Sequence, residues 1–176
     1  REMPYDFKEI GLDKVISEMP KVTGAGVLVG HFDSGVDGTH PALKGKVAAF
    51  FNGNTRKVSA PVDFDTHGTH TAGTIVGGNR TTLLMGVAPD AKLISAGSVI
   101  DFDTMLEGMK WMMDPDGNPQ TKDSPRVVNN SWNCDQAPDV ELFYNAIVAW
   151  EALGIMPVFS AGNSGPAPAT ITKPHE

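Results

Sequence analysis

Three polar clusters in this chain carry residue types that chemistry needs: Asp33-Ser34-Gly35, His67-Gly68-Thr69-His70 and Ala161-Gly162-Asn163. Taken alone, Asp-Ser-Gly is an ordinary turn in which Gly35 supplies permissive backbone angles. Acid chemistry with paired aspartates would need a second carboxylate of the same kind, and no second copy of the tripeptide occurs. His67 and His70 are three apart, so on a helix they point nearly the same way. A metal pair would need a third protein ligand, and no cysteine or glutamate sits at a helpful spacing. One histidine acting as general base is the better reading. His70 is read as structural, packing or hydrogen-bonding near the site. Asn163 alone is a turn-former after a strand.

These clusters need elements to hold them. Residues 26–32 form a short, nearly all-apolar run that suits a parallel strand covered on both faces, and it leads directly into Asp33. Residues 46–51, 92–99, 126–132 and 155–159 are further strand candidates, the last breaking into the Asn163 segment. Helical patterns cover residues 69–76, 103–113 and 139–153, with Asp139 as N-cap and Gly154 as C′ residue of the last. Met105, Met109, Met112 and Met113 fall on one side of the second, and core packing explains them better than a soft binding groove. A stripe of Ile10, Leu12, Val15, Ile16 and Met19 predicts one N-terminal helix over residues 7–19, ended by Pro20. Residues 114–125 read as a loop. Strands alternating with helices predict a doubly wound, mostly parallel α/β sheet with helices on both faces. In such sheets chemistry gathers at the carboxyl ends of the strands, where Asp33 and Asn163 fall.

Composition narrows the function classes. The 176 residues suffice for one domain, and 14 Lys and Arg against 21 Asp and Glu give a net charge of −7. That argues against nucleic acid and anionic membranes, which call for basic patches. No apolar run approaches the ~20 residues that span a bilayer. Cys134 is the single cysteine, so the fold has no staple and must rest on packing. The chain opens Arg1-Glu2-Met3-Pro4 with no signal-peptide h-region, which reads as a chain cut from a longer precursor.

Together the clusters are specific. Asp33-Ser34-Gly35-Val36-Asp37-Gly38-Thr39-His40-Pro41-Ala42-Leu43 closely resembles the aspartate region of subtilisin-like serine proteases. His67-Gly68-Thr69-His70-Thr71-Ala72-Gly73-Thr74-Ile75 resembles their histidine region. Gly86-Val87-Ala88-Pro89, Val128-Asn129-Asn130-Ser131-Trp132 and Ser160-Ala161-Gly162-Asn163 follow in the family's order and at family-like spacing. The stretch from Trp111 to Trp132 is similar to bacillopeptidase F relatives within the family. The resemblance implies an α/β subtilisin-like fold and a serine endopeptidase. It implies His67 as general base, Asp33 as the group that fixes and stabilises the imidazole, and Asn163 as an oxyanion donor. It implies Ser131, Trp132 and Asn133 as a substrate rail beside the primary pocket, where glycine is common at the position of Asn133. It places Val99 and Ile100 near pockets further from the scissile bond. No cofactor is implied. The calcium ligands of many relatives look like Ala42 and Arg80 here, so that site is expected to be absent; calcium elsewhere stays open. Secretion is implied by the family.

The family's nucleophile lies in a Gly-Thr-Ser-Met-Ala-x-Pro run, and nothing like it occurs. Ser34, Ser131 and Ser164 are poor substitutes by position. The expectation is therefore that residues 1–176 are the N-terminal part of a single peptidase domain, incomplete at its C-terminus. The expected partners are a C-terminal fragment carrying the serine and polypeptide substrates held by strand pairing, with no nucleic acid and no membrane. On its own the chain would show no peptidase turnover. The alternative is a catalytically inactive binding or regulatory module on the same scaffold.

Overall fold

A computed structural model describes residues 3–97, 101–132 and 140–171. Asn133, Cys134, Asp139, Val99 and Ile100, singled out above, lie outside the described residues. The elements in chain order are α1 (Tyr5–Glu9), α2 (Leu12–Glu18), β1 (Leu28–Asp33), β2 (Val47–Asn52), β3 (Lys57–Val58), α3 (His67–Val76), β4 (Lys92–Gly97), α4 (Phe102–Met113), β5 (Val127–Asn130), α5 (Val140–Ala152) and β6 (Met156–Phe159).

The strands form one sheet in the order β3-β2-β4-β1-β5-β6, parallel throughout except for the antiparallel β2–β3 pair. The doubly wound architecture read from the sequence is the one observed. After β1 the chain runs out to β2, returns through β4 to β1's flank, and then crosses to β5 and β6 on the other side. The carboxyl end of β1 therefore sits where the winding reverses, the place where such sheets leave a crevice.

Period-two alternation sorts β1 between two cores. Phe32 joins Ile94, Met105, Met109, Met112, Trp132, Phe143 and Trp150 on the face covered by α4 and α5. Val29 joins Leu93, Phe50, Ala72 and Val76 on the face covered by α3. His31 and Asp33 share the parity of Val29, so both point toward α3. On β4, Ser95 pairs in register with His31 and shares the parity of Leu93, so it points the same way. The methionines of α4 are core residues, as their helical spacing implied. Asp101 caps α4, its side chain accepting from the Thr104 N–H.

One expectation is corrected. The N-terminal stripe is two short helices, broken where Gly11 takes φ +72°, a left-handed conformation that glycine tolerates. Only Phe7 and Leu12 are buried there, while Ile10 and Met19 stand exposed. The stripe thus lacked the partner surface that one continuous helix would need. β3, two exposed residues, adds an antiparallel edge to this mostly parallel sheet. Val148 on α5 is exposed.

Candidate active site

Asp33 ends β1 and is only 2% exposed. Its Oδ1 accepts hydrogen bonds from His67 Nδ1 at 2.7 Å and from the Ser34 backbone N–H at 2.7 Å. Its Oδ2 accepts from the Thr71 hydroxyl at 3.0 Å. The carboxylate is thus held on both oxygens, as burial of a charge requires. The His67 side chain is half exposed, at 52%. The hydrogen bond it donates to Asp33 raises its pKa above the ordinary 6.5, with the Asp33, Asp65 and Asp63 charges adding to it against burial. With Nδ1 committed to Asp33, Nε2 is the nitrogen left for a nucleophile.

His67 is placed by the start of α3. Thr66 precedes the helix at φ +90° and its side chain makes no cap. The orphan N–H groups are met from elsewhere. Ser34 Oγ accepts from the Gly68 N–H at 2.9 Å and donates to Asp63 Oδ1 at 2.7 Å. Asp63 Oδ2 accepts from the Thr69 N–H at 2.7 Å and from the Thr69 hydroxyl. Burial pushes the Asp63 carboxyl up, but the bonds from Thr69, Ser34 and Asp65 outweigh it and hold it below the usual carboxylate range. Backbone packing closes the junction. A Cβ on Gly68 would lie 1.9 Å from the Gly35 carbonyl oxygen, and one on Gly35 would lie 2.1 Å from that of Val62. Only glycines let the end of β1 and the start of α3 approach this closely.

Behind Asp33, on the same strand face, lies a fully buried second histidine. His31 Nδ1 is 2.9 Å from Ser95 Oγ, and its Nε2 is 2.9 Å from Thr71 Oγ1. Burial lowers its pKa from 6.5 to about 4, against the attraction of Asp33 and Asp63. The ring is neutral near neutral pH.

Of the residues singled out from the sequence, Asp33 and His67 are joined directly. Asn163 is exposed in the loop after β6. β6 is two strands from β1 on the same carboxyl edge, a lateral separation of roughly 10 Å. Trp132 is a core residue, its ring edge-on to Phe32 and Phe159. Ser131 Oγ accepts from the Asn129 amide at 2.9 Å. His70 is exposed and lines a cavity of about 710 Å³ with Asp37, His40, Thr66 and Met85, on a flank that His67 does not line. Its expected packing or hydrogen-bonding role at the site gives way to that exposed position. Ser34 cannot serve as nucleophile, because its hydroxyl is taken up by Asp63 and Gly68. Among the described residues, no serine hydroxyl hydrogen-bonds His67 Nε2.

Sequence reasoning missed Asp63, Thr71, Ser95 and His31. For His31 a signal existed: it lies two residues before Asp33, hence on the same face of the strand.

The α3 loop gives its oxygens to protein donors. Arg80 Nη2 donates to the Val87 carbonyl at 2.6 Å, and Asn79 Oδ1 accepts from the N–H groups of Thr81 and Thr82. Ala42 is buried and has no side-chain oxygen. In the loop after α4, Asp114, Asp116 and Asp123 bring their carboxylates within 4.8 Å of one another.

The model of the subtilase family matches residues 24–176. Bacillopeptidase F of Bacillus subtilis (strain 168) is 36% identical over 163 residues, covering 80% of this chain and 11% of that protein. Subtilisin-like protease PopC of Myxococcus xanthus (strain DK1622) is 32% identical over 171 residues, covering 82% of this chain and 35% of that protein. Among solved structures, the S41 psychrophilic protease superposes with a TM-score of 0.72 at 28% identity, over 86% of this chain and 50% of that one. The chain thus spans half or less of the length of each of these relatives.

Proposed function

The chain belongs to the subtilase family, and from this we propose that it supplies the acid–base part of a serine endopeptidase. The observation that carries the reading is the 2.7 Å bond between His67 Nδ1 and a buried Asp33 held on both oxygens. His67 Nε2 takes the proton of a serine hydroxyl and later returns it to the leaving amine. Asp33 keeps the imidazole in the correct tautomer and stabilises the imidazolium. Asn163 donates its side-chain amide to the tetrahedral oxyanion. Ser131, Trp132 and Asn133 form the rail that an extended substrate joins by strand pairing, with Val99 and Ile100 near the outer pockets.

The nucleophile, in this reading, lies on a C-terminal segment of the same protease, so residues 1–176 are the N-terminal part of one peptidase domain. Support comes from β6, which among the described residues stands at the edge of the sheet. Met156 and Val158 on β6 are 62% and 46% exposed, and Val148 on α5 is 60% exposed. An apolar sheet edge of this kind is normally covered. Residues 1–176 alone would show no peptidase turnover. No calcium is needed at the α3 loop, where the Arg80 guanidinium supplies the positive charge. We read the enzyme as secreted, by analogy with its relatives, acting on polypeptides and not on nucleic acid. Among the described residues no helix is long and apolar enough to cross a membrane.

Fluorophosphonate labelling of the full-length protein, followed by peptide mapping, tests this. The expected adduct is on a serine outside these 176 residues. An adduct on Ser34, Ser131 or Ser164 would overturn the split. No adduct at all would favour a catalytically inactive binding or regulatory module on the subtilase scaffold.

A further inference from the structure

We propose that His31 is a positioning residue, acting through Thr71 to fix the second oxygen of Asp33; the inference rests on the peptidase reading above. The geometry forms a continuous chain from the sheet core to the base. Ser95 Oγ meets His31 Nδ1, His31 Nε2 meets Thr71 Oγ1, Thr71 meets Asp33 Oδ2, and Asp33 Oδ1 meets His67 Nδ1.

The direction of the hydrogen bonds follows from which groups can donate. His31 Nε2 lies 4.0 Å from Asp33 Oδ2, so the carboxylate favours a proton on that nitrogen. A neutral ring with its proton on Nε2 accepts the Ser95 hydroxyl at Nδ1 and donates to Thr71 Oγ1. That occupies a lone pair of Thr71 and leaves its own proton free to donate. Two acceptors compete for it, Asp33 Oδ2 at 3.0 Å and the Gly68 carbonyl at 3.1 Å. The charged acceptor wins, because charge-assisted bonds are stronger. In the other tautomer, Nε2 would accept the Thr71 proton and Asp33 Oδ2 would lose its donor. The tautomer of a buried ring that touches neither substrate nor base thus decides whether Asp33 is held on one oxygen or two. Burial keeps the ring neutral, which the device requires. The charged groups facing it are Asp33 on its own strand, Asp63 in the loop before α3, and His67 on α3.

The test uses the full-length protein with nitrogen-15-labelled histidine. In the wild type, long-range correlation spectra should show the Nε2–H tautomer for His31. Thr71→Val removes the donor at nearly constant shape. Asp33 then puts more of its negative charge on His67, so the His67 titration should move upward. kcat should fall roughly tenfold, about what one lost hydrogen bond can account for, with KM unchanged. Thr71→Ser should restore both. His31→Leu removes the bond that anchors Thr71 but leaves the Thr71 hydroxyl its proton, so its His67 titration should lie between those of the wild type and Thr71→Val; if that variant does not fold, the Thr71 pair decides. An Nδ1–H tautomer for His31, or a His67 titration unmoved by Thr71→Val, overturns the proposal whether or not the protein is active. A wild type that shows the tautomer and the titration response but cleaves nothing sinks the peptidase reading and leaves the positioning intact.

Discussion

A 2.7 Å bond between His67 and Asp33 makes one substitution especially informative. Asp33→Asn keeps the shape and nearly the volume of the side chain. It exchanges an acceptor for a group that can present N–H toward His67 Nδ1, which then has to accept. The proton of the neutral imidazole moves to Nε2, the nitrogen that has to receive the serine proton. In the full-length enzyme kcat should fall by about 10⁴, with KM changed little, because substrate contacts are untouched. The His67 titration should also fall toward its ordinary value, since the bond it donates to Asp33 is the largest cause of its elevation. Wild-type activity itself should rise with pH through a midpoint above 6.5, because only the neutral ring can act as base. Steady-state kinetics over a pH series checks all three. A loss of less than tenfold in the asparagine variant would remove Asp33 from the mechanism.

The junction of β1 with α3 is where two elements are forced into one geometry, and glycines on α3 test it with opposite signs. Gly68→Ala places a Cβ 1.9 Å from the Gly35 carbonyl oxygen, backbone against backbone, so the helix start must move. We expect a loss of about 1–3 kcal/mol in chemical denaturation and a fall in kcat, since His67 is the neighbouring residue. Gly73→Ala lies one and a half turns further along. Its Cβ would meet only Met85 Sδ, at an ordinary 3.6 Å. That change should stabilise by up to about 0.5–1 kcal/mol, the helix cost of glycine against alanine. Equal effects at the two positions would show that the close approach does not matter. Much of this arrangement was legible in the sequence. The apolar run into Asp33 gives β1, the helical spacing of Met105, Met109 and Met112 gives α4, and the strand–helix alternation gives the sheet. Other features resist reading for physical reasons. The break at Gly11 depends on which surface α1 and α2 find to cover. Asp63 caps α3 from outside the helix, joined to Ser34 across 29 residues, so no local capping pattern marks it. His31 hides in an apolar run because its two partners, Ser95 and Thr71, arrive from β4 and α3.

Burial of one neutral imidazole between two packed layers gives the whole molecule an acid sensitivity. His31 titrates at about 4 in the folded chain and near 6.5 when unfolded. Below 6.5 the unfolded state takes up a proton that the folded state refuses, so stability falls as pH falls and continues to fall until about pH 4. The full difference corresponds to about 3 kcal/mol, a large share of the marginal stability of a domain. The other shifted groups act outside this window. His67 is raised, so its contribution is fully present below 6.5 and is lost only as pH rises through its folded value. Asp63, Asp37 and Asp101 are lowered, so theirs is present above 3.8 and is lost only in stronger acid. Between about pH 6.5 and 4, then, His31 governs the slope contributed by the shifted groups. Urea denaturation followed by the fluorescence of the buried Trp150 should show the midpoint dropping steadily across that range in the wild type. His31→Leu removes the titrating ring, and its midpoint should stay nearly level over the same range even if it begins lower. Parallel slopes for the two proteins would place the acid sensitivity elsewhere, and the buried ring would then be an ordinary packing residue of the sheet.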